Sequence, residues 1–205
     1  MATLGDLKAR IADELMKRNL TTQIAQHIAR AVEHYSTHRF WFNVGSLTGS
    51  PISADADGYV PLPTGTRVID KIRIGQIWLE KRDMEVIEDW LANSPATAVE
   101  PYDYAPAGER VRLYPTPSGP VTLVATGVID VTPKITATAA DSVDNAWTND
   151  GADLIAARAR MTLYRDVLRD PGGVALAKDA IREAEQDLGM KTMRRIGAGR
   201  VEACL

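Results

Sequence analysis

Apolar positions in the first forty residues recur at helical spacing. Leu4, Leu7, Ile11 and Leu15 form one stripe, with Thr3 placed to cap it and Asp6 in capping-box position. Asn19-Leu20 interrupts the pattern, and Thr21 or Thr22 can cap a second helix with Ile24, Ile28, Ala31 and Tyr35 on its apolar side. The period changes after Arg39. Phe40-Trp41-Phe42 precedes a run punctuated by Gly45, Gly49, Pro51, Gly58, Pro61, Pro63 and Gly65, which predicts short strands and turns. Asp57-Gly58 predicts a hairpin-type turn before Tyr59-Val60. Alternation over Arg67–Ile74 predicts a strand that Gln76–Leu79 continues. Asp83 caps a short helix whose inward side is Met84, Ile87, Trp90 and Leu91. Val111–Tyr114 and Val121–Val131 read as further strands about the turn Pro115-Thr116-Pro117-Ser118-Gly119-Pro120. Residues 132–148 read as a connector.

Helical spacing returns near Asn149. Ala152, Ile155, Ala156, Ala159, Leu163 and Val167 make one stripe, which Asp170-Pro171-Gly172-Gly173 ends. Val174, Ala177, Ile181, Ala184 and Leu188 make the next, a short seam of coiled-coil type. The expected architecture is α+β: a four-helix bundle from N- and C-terminal helical hairpins, with a central β-rich insert. The expected segments are 1–40 (first hairpin), 41–148 (β-rich insert with one short helix), 149–196 (second hairpin) and 197–205 (extended tail).

Charge sharpens this division. The chain has 205 residues and a net charge of −3. Residues 1–40 carry +2, residues 41–150 carry −7 and residues 151–205 carry +2. The alike ends and acidic middle suit two terminal parts that belong together. An overall acidic chain argues against a general nucleic-acid surface. No apolar run reaches the length of a membrane span, and the N-terminus lacks a signal-peptide pattern. Cys204 is the sole cysteine, so an internal disulfide and a Cys-based zinc site are both excluded.

Candidate chemistry is sparse. His27, His34 and His38 lie near one side of the second helix, at spacings that could share a metal, but the Glu of an HExxH motif is absent. Asp55-Ala56-Asp57-Gly58 opens like a calcium loop, yet the twelfth position is Thr66 in place of Glu, so a surface turn is the better reading. Asp13-Glu14 and Glu88-Asp89 are adjacent and do not face each other on a helix. No catalytic residue, metal ligand or cofactor-binding residue is assigned, and no cofactor is expected. Two regions remain. Phe40, Trp41 and Phe42, read as a strand, send Trp41 one way and the phenylalanines the other. Either both sides are covered in a core seam, or one side meets a neighbouring subunit. Arg194, Arg195, Ile196, Arg200, Val201 and Leu205 are either a frayed terminus or a basic, part-apolar docking tail.

Five segments in order carry a resemblance: ATLGDLKARIADEL, IARAVEHYSTHRFWFN, YVPLPTGTRVIDKI, RVRLYPTPSGPVTL and DLIAARARMTLYRDVLRDP. Together they resemble the head–tail adaptor (connector) proteins of tailed bacteriophages, over about residues 3–190. The resemblance implies a structural virion protein and no enzyme. It implies a homo-oligomeric ring of twelve copies beneath the portal protein, with tail or nozzle proteins on its other face. DNA would pass through the channel without specific binding, and no membrane is involved. Synthesis would be in the host cytoplasm and the final location the head–tail interface. The C-terminal segment would then grip the portal. Two other readings stay open: another tail-assembly or tail-completion protein, and a small metal-dependent hydrolase using His34 or His38.

Overall fold

Local sequence chemistry sets the first helix, α1 (Leu4–Glu14). Asp6 N–H donates to the Thr3 hydroxyl at 3.2 Å, and Thr3 N–H donates to the Asp6 carboxylate at 2.8 Å, closing the expected capping box. The computed structural model of the chain describes residues 1–17, 19–93 and 100–201, with the backbone alone for 197–201. Leu4, Leu7 and Ile11 are buried, and Met16 takes a left-handed conformation just past the helix end. The second helix, α2 (Thr21–Tyr35), has Leu20 at its cap position and no side-chain cap. It buries Ile24, Ile28, Ala31 and Tyr35, the predicted stripe, together with Ala25 and His27.

Seven strands follow among the described residues: β1 (Val44–Thr48), β2 (Tyr59–Pro61), β3 (Thr66–Ile74), β4 (Ile77–Lys81), β5 (Asp103–Ala107), β6 (Arg110–Tyr114) and β7 (Leu123–Ile129). They form one curled, half-barrel sheet in the order β1-β7-β3-β4-β5-β6-β2. Every neighbouring pair is antiparallel except β4 and β5. A parallel pair needs a crossover, and α3 (Met84–Asn93) supplies it. Val60, Ile72, Leu79, Tyr104, Val111, Leu113 and Leu123 make the sheet's own core. Ile87 of α3 packs with Ala105 and Tyr114 as a second, smaller one. Gly127 sits at an irregularity of the β3–β7 ladder, and a Cβ there would stand 2.0 Å from the Val68 carbonyl oxygen.

The chain then returns to helix in α4 (Ala152–Leu163). A π-helical turn, Tyr164–Leu168, follows it, and Arg169 adopts a left-handed conformation. Pro171 then opens α5 (Pro171–Val201), the first helical position at which proline is favoured. Gly173 is needed there, because a Cβ would stand 2.4 Å from the Tyr164 ring. α4 packs against α1, α2 and α5 and buries Leu154, Ile155, Ala156, Ala157, Ala159, Met161 and Leu163.

Two compact units result: residues 1–43 with 130–205, and Val44–Ile129. The expected four-helix bundle with a central insert is therefore corrected. The seven-stranded sheet has its own core and is too large to be a decoration on a bundle. On the helical side α4 is a hub that packs against α1, α2 and α5. The segment boundaries shift for a physical reason. The connector's backbone caps α1, since Leu4 N–H donates to Val143 O (2.8 Å) and Gly5 N–H to Asp141 O (2.9 Å). Ile135 and Trp147 sit in the helical core. Residues 41–43 and 130–148 thus belong with the helices. The expected extended tail is also revised, because α5 continues through Gly197 and Gly199 to Val201. Residues 202–205 lie outside the described residues.

Candidate functional site

The aromatic block is a turn and not a strand. Asn43 N–H closes it onto the Phe40 carbonyl at 3.1 Å. The Asn43 side chain, fully buried, accepts from Phe40 N–H at 2.8 Å and donates to the His38 carbonyl at 2.8 Å. This geometry puts Phe40 and Phe42 on the same side, stacked at 5.6 Å. Trp147 meets both rings edge-on, at 5.8 Å from Phe40 and 4.9 Å from Phe42. Phe40 and Trp147 are buried, and Phe42 packs against the same core half-exposed. Trp147 stood in the sequence as a lone aromatic in a connector. Only the fold shows it to be the anvil of the cluster.

Trp41 meets the Phe42 ring edge-on at 5.7 Å and links the cluster to α5. Its backbone N–H donates to the Thr192 hydroxyl at 3.3 Å. The Arg195 guanidinium lies 3.6 Å from the centre of its ring, a close cation–π contact. The indole N–H is buried without a partner among the described residues. So the structure joins the two regions singled out in the sequence, through Trp41 and Arg195. Beside that contact, Met190, Met193 and Ile196 follow one another at three-residue spacing and are 52%, 75% and 44% exposed. Arg194 lies among them on the exposed side of the helix. The side chains of Arg200 and Val201, and all of Cys204 and Leu205, lie outside what is described.

The histidines do not converge. His27 is buried, and its Nδ1 lies 2.7 Å from the Thr162 hydroxyl. Thr162 in turn donates to the Ala159 carbonyl at 2.9 Å. Burial, with Arg30 nearby, lowers the His27 pKa from its ordinary value. Burial and then Arg158 lower His34 in the same direction. The rings of His34 and His38 are 5.6 Å apart and tilted. Among the described residues, no three of His, Cys, Asp and Glu gather as a metal site. Tyr35 donates to Glu185 at 2.7 Å, and burial followed by that bond raises its hydroxyl pKa above the ordinary value. Asp55 is engaged as a turn residue. One carboxylate oxygen accepts from Asp57 and Tyr59 N–H, and the other pairs with Arg110 at 3.0 Å. No described helix is long and apolar enough to cross a membrane.

What this arrangement offers is contact surface: an aromatic turn locked to the end of a long helix, with apolar side chains and arginines facing outward. The chain belongs to the SU10 adaptor protein family, whose model matches residues 2–202, and it is thus a phage adaptor protein. No curated protein matches it.

Proposed function

We propose that this chain is one subunit of a ring of twelve copies that sits beneath the portal and joins capsid to tail. The observation that carries this reading is the family match across residues 2–202. The C-terminal segment of the chain, with Arg194, Arg195, Ile196, Arg200, Val201 and Leu205, docks on the portal. The exposed Met190, Met193 and Ile196 support that assignment, because an apolar stripe rimmed by arginine is a surface awaiting a partner. Phe40, Trp41 and Phe42 serve as the seam that sets the angle of this segment. The ring's other face receives tail or nozzle proteins. DNA passes through the hole without specific binding, consistent with an acidic chain, since phosphate affinity comes mainly from lysine and arginine contacts.

The test mixes the purified chain with purified portal rings of the same phage and follows sedimentation and negative-stain images. The expected result is a ring layer on one face of the portal. Met193→Asp with Ile196→Asp should weaken that layer at least about tenfold. A chain that never associates with portal rings would refute the reading.

A further inference from the structure

The curled sheet has two edges, and the chain treats them oppositely. β2 forms one edge. Leu62 N–H donates to the Glu109 carbonyl at 2.9 Å, in register with the β2–β6 ladder. Alternation along an antiparallel pair then turns the backbone groups of Tyr59 and Pro61 outward. Asp55 of the same chain closes this side. Tyr59 N–H donates to the Asp55 carboxylate at 2.8 Å, and the Tyr59 carbonyl accepts from Asp55 N–H at 2.9 Å. Pro61 has no N–H to offer, which blunts the edge further.

β1 forms the other edge. Gly49 N–H donates to the Leu123 carbonyl at 2.8 Å, in register with the β1–β7 ladder. By the same alternation Gly45 and Leu47 bond to β7, while Val44, Ser46 and Thr48 turn their N–H and C=O groups outward. The Ser46 and Thr126 hydroxyls, 2.8 Å apart, fit the closely spaced pair that this pattern requires there. Among the described residues, none donates to those outward carbonyls or accepts from those outward N–H groups. Val44–Thr48 holds no proline, no charge and no bulge. Among the described strands it alone has no buried residue.

We propose that β1 receives an added strand: an extended, uncharged segment of the tail protein that meets the ring pairs with Val44–Thr48. A row of free backbone donors and acceptors recognises extended backbone, and the neutral side chains on both faces of β1 suit a neutral segment. The sheet of a neighbouring copy does not fit as the occupant. Its β2 edge is closed by Asp55 and Pro61, and two β1 edges would pair about a two-fold axis, a contact that closes at two copies and builds no ring. The portal contact above uses the C-terminal segment, in the helical unit, whereas β1 belongs to the other compact unit. The inference rests on the ring reading above and names how the ring's tail side is held.

The test uses portal rings that carry the chain, to which the purified tail protein of the same phage is added. Amide hydrogen exchange at Val44, Ser46 and Thr48 should slow at least about tenfold when the tail protein binds, while Gly45 and Leu47 stay protected throughout. Ser46→Pro removes one outward N–H at an edge position that proline tolerates, so the variant should melt like the parent. Its uptake of tail protein should fall at least about tenfold. Ser46→Ala, which keeps the N–H, should bind like the parent. If Ser46→Pro melts early, Thr48→Lys is read in its place, with the same loss expected. Tail binding with unchanged exchange at the three outward amides, or full binding by a folded Ser46→Pro chain, would overturn the proposal and leave the adaptor reading standing. Slowing that is complete before tail protein is added would also overturn it, because a neighbouring copy or the portal is then the occupant. A portal-bound ring that takes up no tail protein would overturn it as well. A wild-type chain that never gathers on portal rings would bring down the adaptor reading and this contact together.

Discussion

Replacing Trp147 by alanine should strip the helical unit of a buried aromatic anchor that bridges two others. Trp147 is 3% exposed and meets both Phe40 and Phe42 edge-on. A buried tryptophan side chain hides about 200 Å², worth roughly 5 kcal/mol at 25 cal/mol per Å². Each edge-on pair adds about 1 kcal/mol. The alanine variant keeps one methyl group, and the cluster collapses partway into the space. Core tryptophan-to-alanine changes accordingly cost about 3–5 kcal/mol, and about 4 is the expectation here. For a chain of this length each kcal/mol lowers Tm by about 3 °C, so the drop should be near 12 °C. Thermal melts followed by far-UV circular dichroism at 222 nm would read the helical unit directly. Trp147→Phe, which keeps an aromatic edge, should recover about half of the loss. A drop under about 3 °C for the alanine variant would refute the view that Trp147 anchors this core.

Arg195→Ala should remove about 1 kcal/mol of cation–π attraction from the end of α5; hydrogen exchange should then speed up around Thr192, while the rest of the helix keeps its protection. His27 has a folded pKa below its ordinary value of 6.5, so the unfolded chain takes up a proton first as the pH falls. Stability should therefore be intact above that value and decline below it, and His27→Gln should flatten the pH dependence of urea midpoints between about pH 7 and pH 5. Gly127→Ala should cost more than about 3 kcal/mol, seen in denaturant melts, because the added Cβ would overlap the Val68 carbonyl oxygen unless β3 and β7 part.

Much of the helical half could be read from the chain, because its signals are local. The Thr3–Asp6 box and the stripe Ile24, Ile28, Ala31 and Tyr35 form as their spacing implies. In the β half, Arg67–Ile74 alternates visibly and becomes β3. β5 reads Asp-Tyr-Ala-Pro-Ala, and its proline and lack of alternation hide it. Its pairing with β4 also depends on residues about twenty positions away, which no local window contains. The extent of the sheet is therefore not legible in any local stretch of sequence. The turn at Phe40–Phe42 is not legible in the sequence because Asn43, whose side chain folds it, carries no signal of its own outside the tertiary structure. Trp41 and Arg195 are separated by more than 150 positions, so their meeting follows only from the course of α5.

The ladder between the first and last strands of the sheet has a consequence for how this chain can change. Val44 stands opposite Val128, so the polypeptide enters and leaves the β unit through one doorway, about 5 Å wide at the Cα atoms. A segment whose ends meet in this way is a detachable cassette. It can be lengthened, shortened or exchanged for another with closely spaced ends while Asn43 and Asp130 keep their places. The cassette can thus change while the helices, with their aromatic lock, stay unaltered.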